Sequence, residues 1–345
     1  MAKAERRKLI QEIEQKRGSK VICYITGDKP GFETRIATDA FRLFRDHLEK
    51  LADKKQISKL DLFIYTRGGD TMVPWRLVSL FKEYAKSFSI LVPYRAHSAG
   101  TLIALGANEI VMGKMGELSP VDPSVTTPFN PPNPGVQERK LDVSVEDVIS
   151  YFLLAKEKVG LTEQDQLGGV FKTLSEKVHP LALGSINRAH SQIRKLARQL
   201  LNIHIKGTTQ VQRIDSIVDK LTEKLFSHNY LICREEAKKV IGLKVSYPDV
   251  ILEGLLWNLY LEYEASMDLT RPLNPLKLLG EENEKEITIG AAFVESSSFT
   301  DVFNTKMKVK KITTNISTAA GQPALQRNGI QKDILDQGWN REQEG

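Results

Sequence analysis

Residues 59–71, KLDLFIYTRGGDT, and residues 89–113, SILVPYRAHSAGTLIALGANEIVMG, decide the fold. In each, an apolar run rich in β-branched and aromatic residues ends in a turn and passes at once into helical spacing. KLDLFIYT (59–66), SILVPY (89–94) and EIVMG (109–113) read as strands, with helices over 72–86 and at TLIALGA. Upstream, SKVICYITG (19–27) is a further strand stopped by Gly27. Between Thr34 and Lys54, apolar residues recur at helical spacing: Ile36, Ala37, Ala40, Phe41, Phe44, Leu48 and Leu51. The rhythm β-α-β-α-β-α-β with short turns predicts an α/β fold, a twisted parallel sheet with helices on both sides.

Outward from this centre the signals change. Residues 1–18 are charged and helical in period, an expected surface helix or arm. Residues 116–135 hold Pro120, Pro123, Pro128, Pro131, Pro132 and Pro134, which predicts a long loop. From Ser144 the chain reads as helices over 144–159, 162–177, 182–206, 214–226 and 234–241, with a last short strand at LKVSYP (243–248). ILEGLLWNLYLEYE (251–264) is an amphipathic helix with Trp257, Tyr260 and Tyr263 on one face, a core or oligomer contact. Residues 286–294 and 306–315 read as a hairpin, in which Lys306, Lys308 and Lys310 share a solvated face. The polar tail after Ile316 is expected to be disordered. The expected organisation is thus an arm (1–18), a main domain (19–250), a helix-and-hairpin extension (251–315) and a tail (316–345).

The 345 residues are 41% hydrophobic and 27% charged, a globular balance. The net charge of +6 is spread along the chain and does not argue for nucleic acid or lipid. A charged start and the lack of a long apolar run predict a cytoplasmic protein without a membrane span. Cys23 and Cys233 lie in apolar runs and read as buried hydrophobes, so neither a disulfide framework nor a metal site is expected. No dinucleotide or P-loop fingerprint occurs, and no cofactor is expected.

Two turns can carry chemistry. Arg67-Gly68-Gly69-Asp70 follows a strand, and a glycine pair there lets backbone N–H groups face a ligand; its plain alternative is a tight turn. His97-Ser98-Ala99-Gly100 puts a serine on a strand-to-helix turn, as a nucleophile requires; its plain alternative is a helix N-cap. In a parallel sheet both turns open on the same carboxyl edge. Gly69 N–H and Ala99 N–H can then converge on one oxygen with Ser98 beside it, an arrangement suited to acyl transfer.

YTRGGDT (65–71) and AHSAGTLIALGANEIVMGKMGELSPVDPS (96–124) resemble the Clp/crotonase superfamily and, more closely, the serine dehydrogenase proteinases, relatives of signal peptide peptidase A. The resemblance implies a Clp/crotonase-like spiral of βαβ units; the helical region and the small C-terminal β addition are read from the residues, and the latter lies outside the resemblance. It implies Ser98 as nucleophile, an oxyanion site of Gly68, Gly69 and Ala99, a homo-oligomer, and peptide or unfolded protein as substrate. The family's Gly-Pro-Ile-Asp-Pro segment corresponds to Ser119-Pro120-Val121-Asp122-Pro123, with Ser119 replacing the glycine. Clp proteases use His and Asp as partners of the serine, and signal peptide peptidases use Lys. Where the Clp pattern has its histidine, this chain has Asp122, which orients a base or caps the loop. His228 ranks first as general base and His179 second, with Lys140, Lys156 and Lys158 as the lysine alternatives. His97 is expected to point away from Ser98, His47 to lie in a helix among charges, and His190 and His204 to face solvent or pack. The function implied is an ATP-independent cytoplasmic serine peptidase. The alternatives are an inactive scaffold of the same fold that binds unfolded peptide or a partner protein, and an acyl-CoA enzyme using the same N–H pair.

Overall fold

The structure, a computed structural model, describes residues 2–121, 124–125, 127–133, 135, 140–141, 143–207, 210–223, 227, 230–316 and 325–343. The first half alternates as the sequence predicts: α1 (Ala2–Arg17), β1 (Lys20–Thr26), α2 (Phe41–Ala52), β2 (Ile57–Tyr65), α3 (Val73–Tyr84), β3 (Ala85–Val92), β4 (Arg95–Ala96), α4 (Ala99–Leu105), β5 (Glu109–Met112) and β6 (Glu117–Leu118). Then come β7 (Ser124–Val125), β8 (Val143–Ser144), α5 (Val145–Leu153), α6 (Gln164–Lys177), α7 (Pro180–Asn202), α8 (Val211–Thr222), β9 (Ile232–Cys233), α9 (Arg234–Glu236) and β10 (Val245–Ser246). The chain ends with α10 (Val250–Met267), α11 (Pro275–Leu279), β11 (Glu284–Ser296), β12 (Thr300–Ile316) and β13 (Leu325–Arg341). Strand β3 starts four residues before the expected run and stops at Val92, because Pro93 has no N–H to continue the ladder.

The main sheet runs β10-β5-β3-β2-β1-β11-β12-β13. Its pairs are parallel from β10 to β1 and antiparallel from β1 to β13. Both faces of the parallel part are covered, which is why these strands read as continuous apolar runs rather than alternating ones. Along β2, Leu60, Leu62 and Ile64 enter the core shared with α2, α3, α4, α7 and α8. Phe63 and Tyr65 enter the opposite core, shared with α1 and α10. Edge-to-face contacts of Phe44 with Tyr24 and Phe81 tie α2 and α3 to the sheet on one side. Tyr260 and Tyr263 of α10 pack against Tyr65 and Phe63 on the other, so that aromatic stripe is core.

Residues 2–17 form a helix, as one of the two expected alternatives, and it is anchored on the core: Ile10 and Ile13 are fully buried, and Arg6 makes a buried ion pair with Glu295 of β11 at 2.7 Å. The tail expected to be disordered contains β13, which pairs with β12 along its whole length. Composition does not register this pairing, because most of the polar side chains of β13 stay in solvent while the backbone bonds are made. Trp339 stacks edge-on against Phe303, its Nε1–H donates to Asp39, and Arg341 makes two bonds to Asp301. Lys306, Lys308 and Lys310 form cross-strand ion pairs with Glu286, Glu284 and Asp333. Cys23 is buried as expected, whereas Cys233 is exposed.

His47 lies in α2, as expected from the sequence, and is completely buried. Ser298 N and Phe299 N donate to Ser296 Oγ, which in turn stands 2.8 Å from His47 Nδ1. The hydroxyl proton therefore goes to Nδ1, and Nε2–H donates to Asp301 Oδ2 at 3.0 Å. This contact clamps α2 to the β11–β12 hairpin. His47→Ala leaves Ser296 and Asp301 short of a buried partner and is expected to cost about 3 kcal/mol of stability, read as a lower urea midpoint at unchanged slope. A midpoint equal to wild type would show that the clamp contributes nothing.

Candidate active site

The two turns singled out in the sequence lie side by side at the carboxyl edge of β2 and β4. A parallel bridge joins Thr66 to Ala96, with Thr66 N donating to Arg95 O at 2.9 Å and His97 N to Thr66 O at 3.1 Å. The glycine pair is bridged on its other side to Ile36. Ile36 N donates to Gly68 O at 2.8 Å and Asp70 N donates to Ile36 O at 2.9 Å. Gly68 N donates to Thr66 Oγ1 at 2.9 Å. Among the described residues, Gly69 N–H has no acceptor.

Both glycines are required by geometry. Gly68 has φ +112° and Gly69 φ +153°, conformations that favour glycine. A Cβ on Gly68 would lie 2.7 Å from Ser98 Cβ, so this backbone is packed directly on the serine. A Cβ on Gly69 would lie 2.2 Å from Ile36 O.

Ser98 takes φ 51° and ψ −109°, a conformation that costs a non-glycine residue about 1–3 kcal/mol and concentrates at functional sites. It precedes α4 but its side chain makes no capping bond, so the N-cap alternative does not explain it. Its backbone N–H is taken: it donates to Ser119 Oγ at 2.8 Å. Ser119 N in turn donates to Thr101 Oγ1 at 3.1 Å. Ala99 N–H has no acceptor among the described residues. Sequence reasoning noted Ser119 only as a departure from the family's glycine; its hydroxyl holds the strained turn. Ser119→Ala orphans Ser98 N–H, and it is expected to cost about 1–2 kcal/mol of stability and to slow any reaction at Ser98 roughly tenfold. Unchanged unfolding and unchanged rate would sink that role.

Ser98 opens into a cavity of about 380 Å³ whose walls include Arg95, His97, Glu117 and Leu231. His97 lines the same cavity, but its Nε2 is 3.1 Å from Glu117 Oε1 and it makes no hydrogen bond to Ser98. Arg95 bridges the carboxylates, reaching Glu117 at 3.1 Å and Asp28 at 2.9 Å. Burial raises the Asp28 carboxyl, but bonds from Arg67 and Tyr65 and the charges of Arg67 and Arg95 outweigh it and hold the pKa below the usual range.

No histidine or lysine nitrogen of the described residues lies within hydrogen-bond reach of Ser98 Oγ. His179 caps α7, accepting from Leu181 N at 3.2 Å, and stacks on Phe129. Lys140, Lys156 and Lys158 are exposed. His204 donates to Leu105 O, and His190 lies 3.6 Å from Glu223. His228 and Asp122 lie outside the described residues. Leu231, three positions beyond His228, does line the Ser98 cavity; β9 brings that stretch in by pairing with β6. Among the described residues no group of His, Cys, Asp and Glu is arranged to hold a metal ion, and no helix is long and apolar enough to cross a membrane.

A second Ser-His-Asp set, Ser296-His47-Asp301, resembles a triad by composition only. The serine sits on Nδ1 and the carboxylate on Nε2, the reverse of the order in which a triad histidine acts. All three residues are buried.

Residues 1–155, which span both turns, match the sequence model of a family described as ClpP-like SDH-type serine proteinase. Over 124 residues the chain is 32% identical to the uncharacterized protein MJ1495 of Methanocaldococcus jannaschii, covering 35% of this chain and 42% of that one. It is 27% identical over 243 residues to MJ0137 of the same organism, covering 70% of this chain and 73% of the relative. The chain therefore spans less than half of the first relative's length. Among solved structures, a mutant of the 1510-N membrane-bound stomatin-specific protease aligns at a TM-score of 0.38 and 16% identity, over 68% of this chain and 83% of that one.

Proposed function

Because residues 1–155 match the sequence model of the ClpP-like SDH-type serine proteinases, we propose that this protein is an ATP-independent serine peptidase of the cytoplasm, working as a homo-oligomer on peptides or unfolded protein. One observation carries the reading. A serine in a strained turn sits against a glycine turn, and among the described residues neither its hydroxyl nor the N–H groups of Gly69 and Ala99 has a hydrogen-bond partner.

Ser98 Oγ attacks the peptide carbonyl as a base removes its proton. Gly69 N–H and Ala99 N–H, with the Gly68 backbone shaping the turn, receive the oxyanion. The base then passes the proton to the leaving amine, and water releases the acyl group from Ser98. His228 is the base in this reading, favoured by the nearby Leu231 on the cavity wall; three extended residues span about 10 Å.

One observation favours the scaffold instead: no base among the described residues touches Ser98. Fluorophosphonate labelling, located by peptide mass spectrometry, decides between the two. Label on Ser98 that disappears in His228→Ala establishes an activated nucleophile and its base. A folded protein that takes no label, and that holds unfolded peptide without cutting it, overturns the peptidase in favour of the scaffold.

A further inference from the structure

A second cavity, of about 440 Å³, lies at the opposite end of α4 from Ser98, between the ends of α7, α8 and the 242–244 segment. It shares no lining residue with the Ser98 cavity, and the peptidase chemistry does not use it. One wall is apolar: Leu201, Ile217 and Leu243, all buried. The other carries Lys206, Arg213 and Lys244, and among the described residues no carboxylate lines the cavity. Lys82 adds a fourth cation at its edge, where its ammonium donates to Asn108 Oδ1.

On α7 and α8, Arg194 pairs with Asp219 and Glu223 and Arg198 with Asp215, while Arg188 and Lys220 donate to Ser185 Oγ and Val240 O. At the cavity the cations also bond to neutral groups, but there they lie together. Arg213 donates to Gly242 O and Lys206 to Asn202 O, both backbone carbonyls. None of the four cations has an ion pair among the described residues. Concentrated positive charge with no partner, at the mouth of a pocket with an apolar wall, attracts an anion that has an apolar body.

His204 registers that field. Its Nε2–H donates to Leu105 O at 2.8 Å, at the end of α4. Burial lowers its pKa, and the charges of Lys82, Lys244 and Arg213 lower it further, against the pull of the Leu105 carbonyl. The ring is therefore neutral near pH 7.

We propose that this cavity binds a small organic phosphate. The phosphate sits among Lys206, Arg213 and Lys244, and the organic body packs against Leu201, Ile217 and Leu243. Several cations around one point suit a phosphate, which carries more charge and more acceptor oxygens than a single carboxylate. The pocket's volume lies within the range of small-molecule sites.

The test is calorimetric titration of AMP into the full-length protein at low salt, with inorganic phosphate and octanoate as separate arms. The expected result is one AMP per chain, bound more tightly than either phosphate or octanoate, and weakened by added salt. Arg213→Glu with Lys244→Glu, at exposed positions that leave the apolar wall intact, is expected to weaken AMP roughly tenfold or more. AMP is also expected to raise the His204 pKa in an NMR titration, because the bound charge offsets the cations. Equal affinity in wild type and double variant, or no binding of any of the three compounds, overturns the proposal. Octanoate binding more tightly than AMP overturns the phosphate assignment in favour of an apolar carboxylate.

Discussion

Ser98→Ala is expected to abolish labelling and to lower peptide hydrolysis by about 10⁴-fold or more, while the fold survives. The two halves of that expectation have separate causes. The hydroxyl makes no hydrogen bond among the described residues, so its removal orphans no buried group there. The backbone strain at φ 51° is borne by alanine as it is by serine. The bond from residue 98 N to Ser119 Oγ is made by backbone and persists in the variant. The thermal midpoint should therefore stay within a few degrees of wild type, a shift worth less than about 1 kcal/mol. If hydrolysis persists in a pure, folded Ser98→Ala protein, the nucleophile lies elsewhere and the whole site reading fails.

The second large effect is at Gly69. Gly69→Ala places a methyl group 2.2 Å from Ile36 O and 2.5 Å from Ile36 N. Both are backbone atoms in a bridge, with no flexible side chain to yield. The bridge must open, and the positive φ strains the new residue as well. A loss of about 3 kcal/mol or more is expected in urea unfolding, together with loss of labelling, because Gly69 N–H loses its aim. Gly68→Ala provides the contrast. Its methyl group meets the Ser98 side chain at 2.7 Å, so it should damage the reaction at Ser98 at a smaller cost in stability. Equal stability for Gly69→Ala and wild type would mean that Ile36 does not pin the turn.

Much of this was legible along the chain because the deciding patterns are local. A strand buried on both faces reads as a nearly continuous apolar run, and β2 does from Leu60 to Tyr65 apart from Asp61, which Arg17 pairs. The helices between strands announce themselves by spacing, and each turn by its glycines. The acyl-transfer reading came from placing two such turns on one sheet edge, and the Thr66–Ala96 bridge is that placement in atoms. Other features were not legible, because their meaning depends on partners far away in the chain. His47 looks like a helix residue among charges; its partners are about 250 positions away. The polar tail gives no apolar signal, and it becomes β13 only because β12 offers it a ladder.

By itself, then, the sequence determined the parallel α/β centre, the glycine turn and the serine turn, since each is specified within a dozen residues by burial, backbone freedom and strand-to-helix punctuation. Tertiary structure alone decided three things: that Ser119 takes the Ser98 N–H, that the C-terminal strands extend the sheet beyond β1, and that unpaired cations from separate segments gather at one cavity. Each arises from segments distant in sequence meeting in space, and hydrogen bonds and charges act over ångströms rather than over positions in a chain.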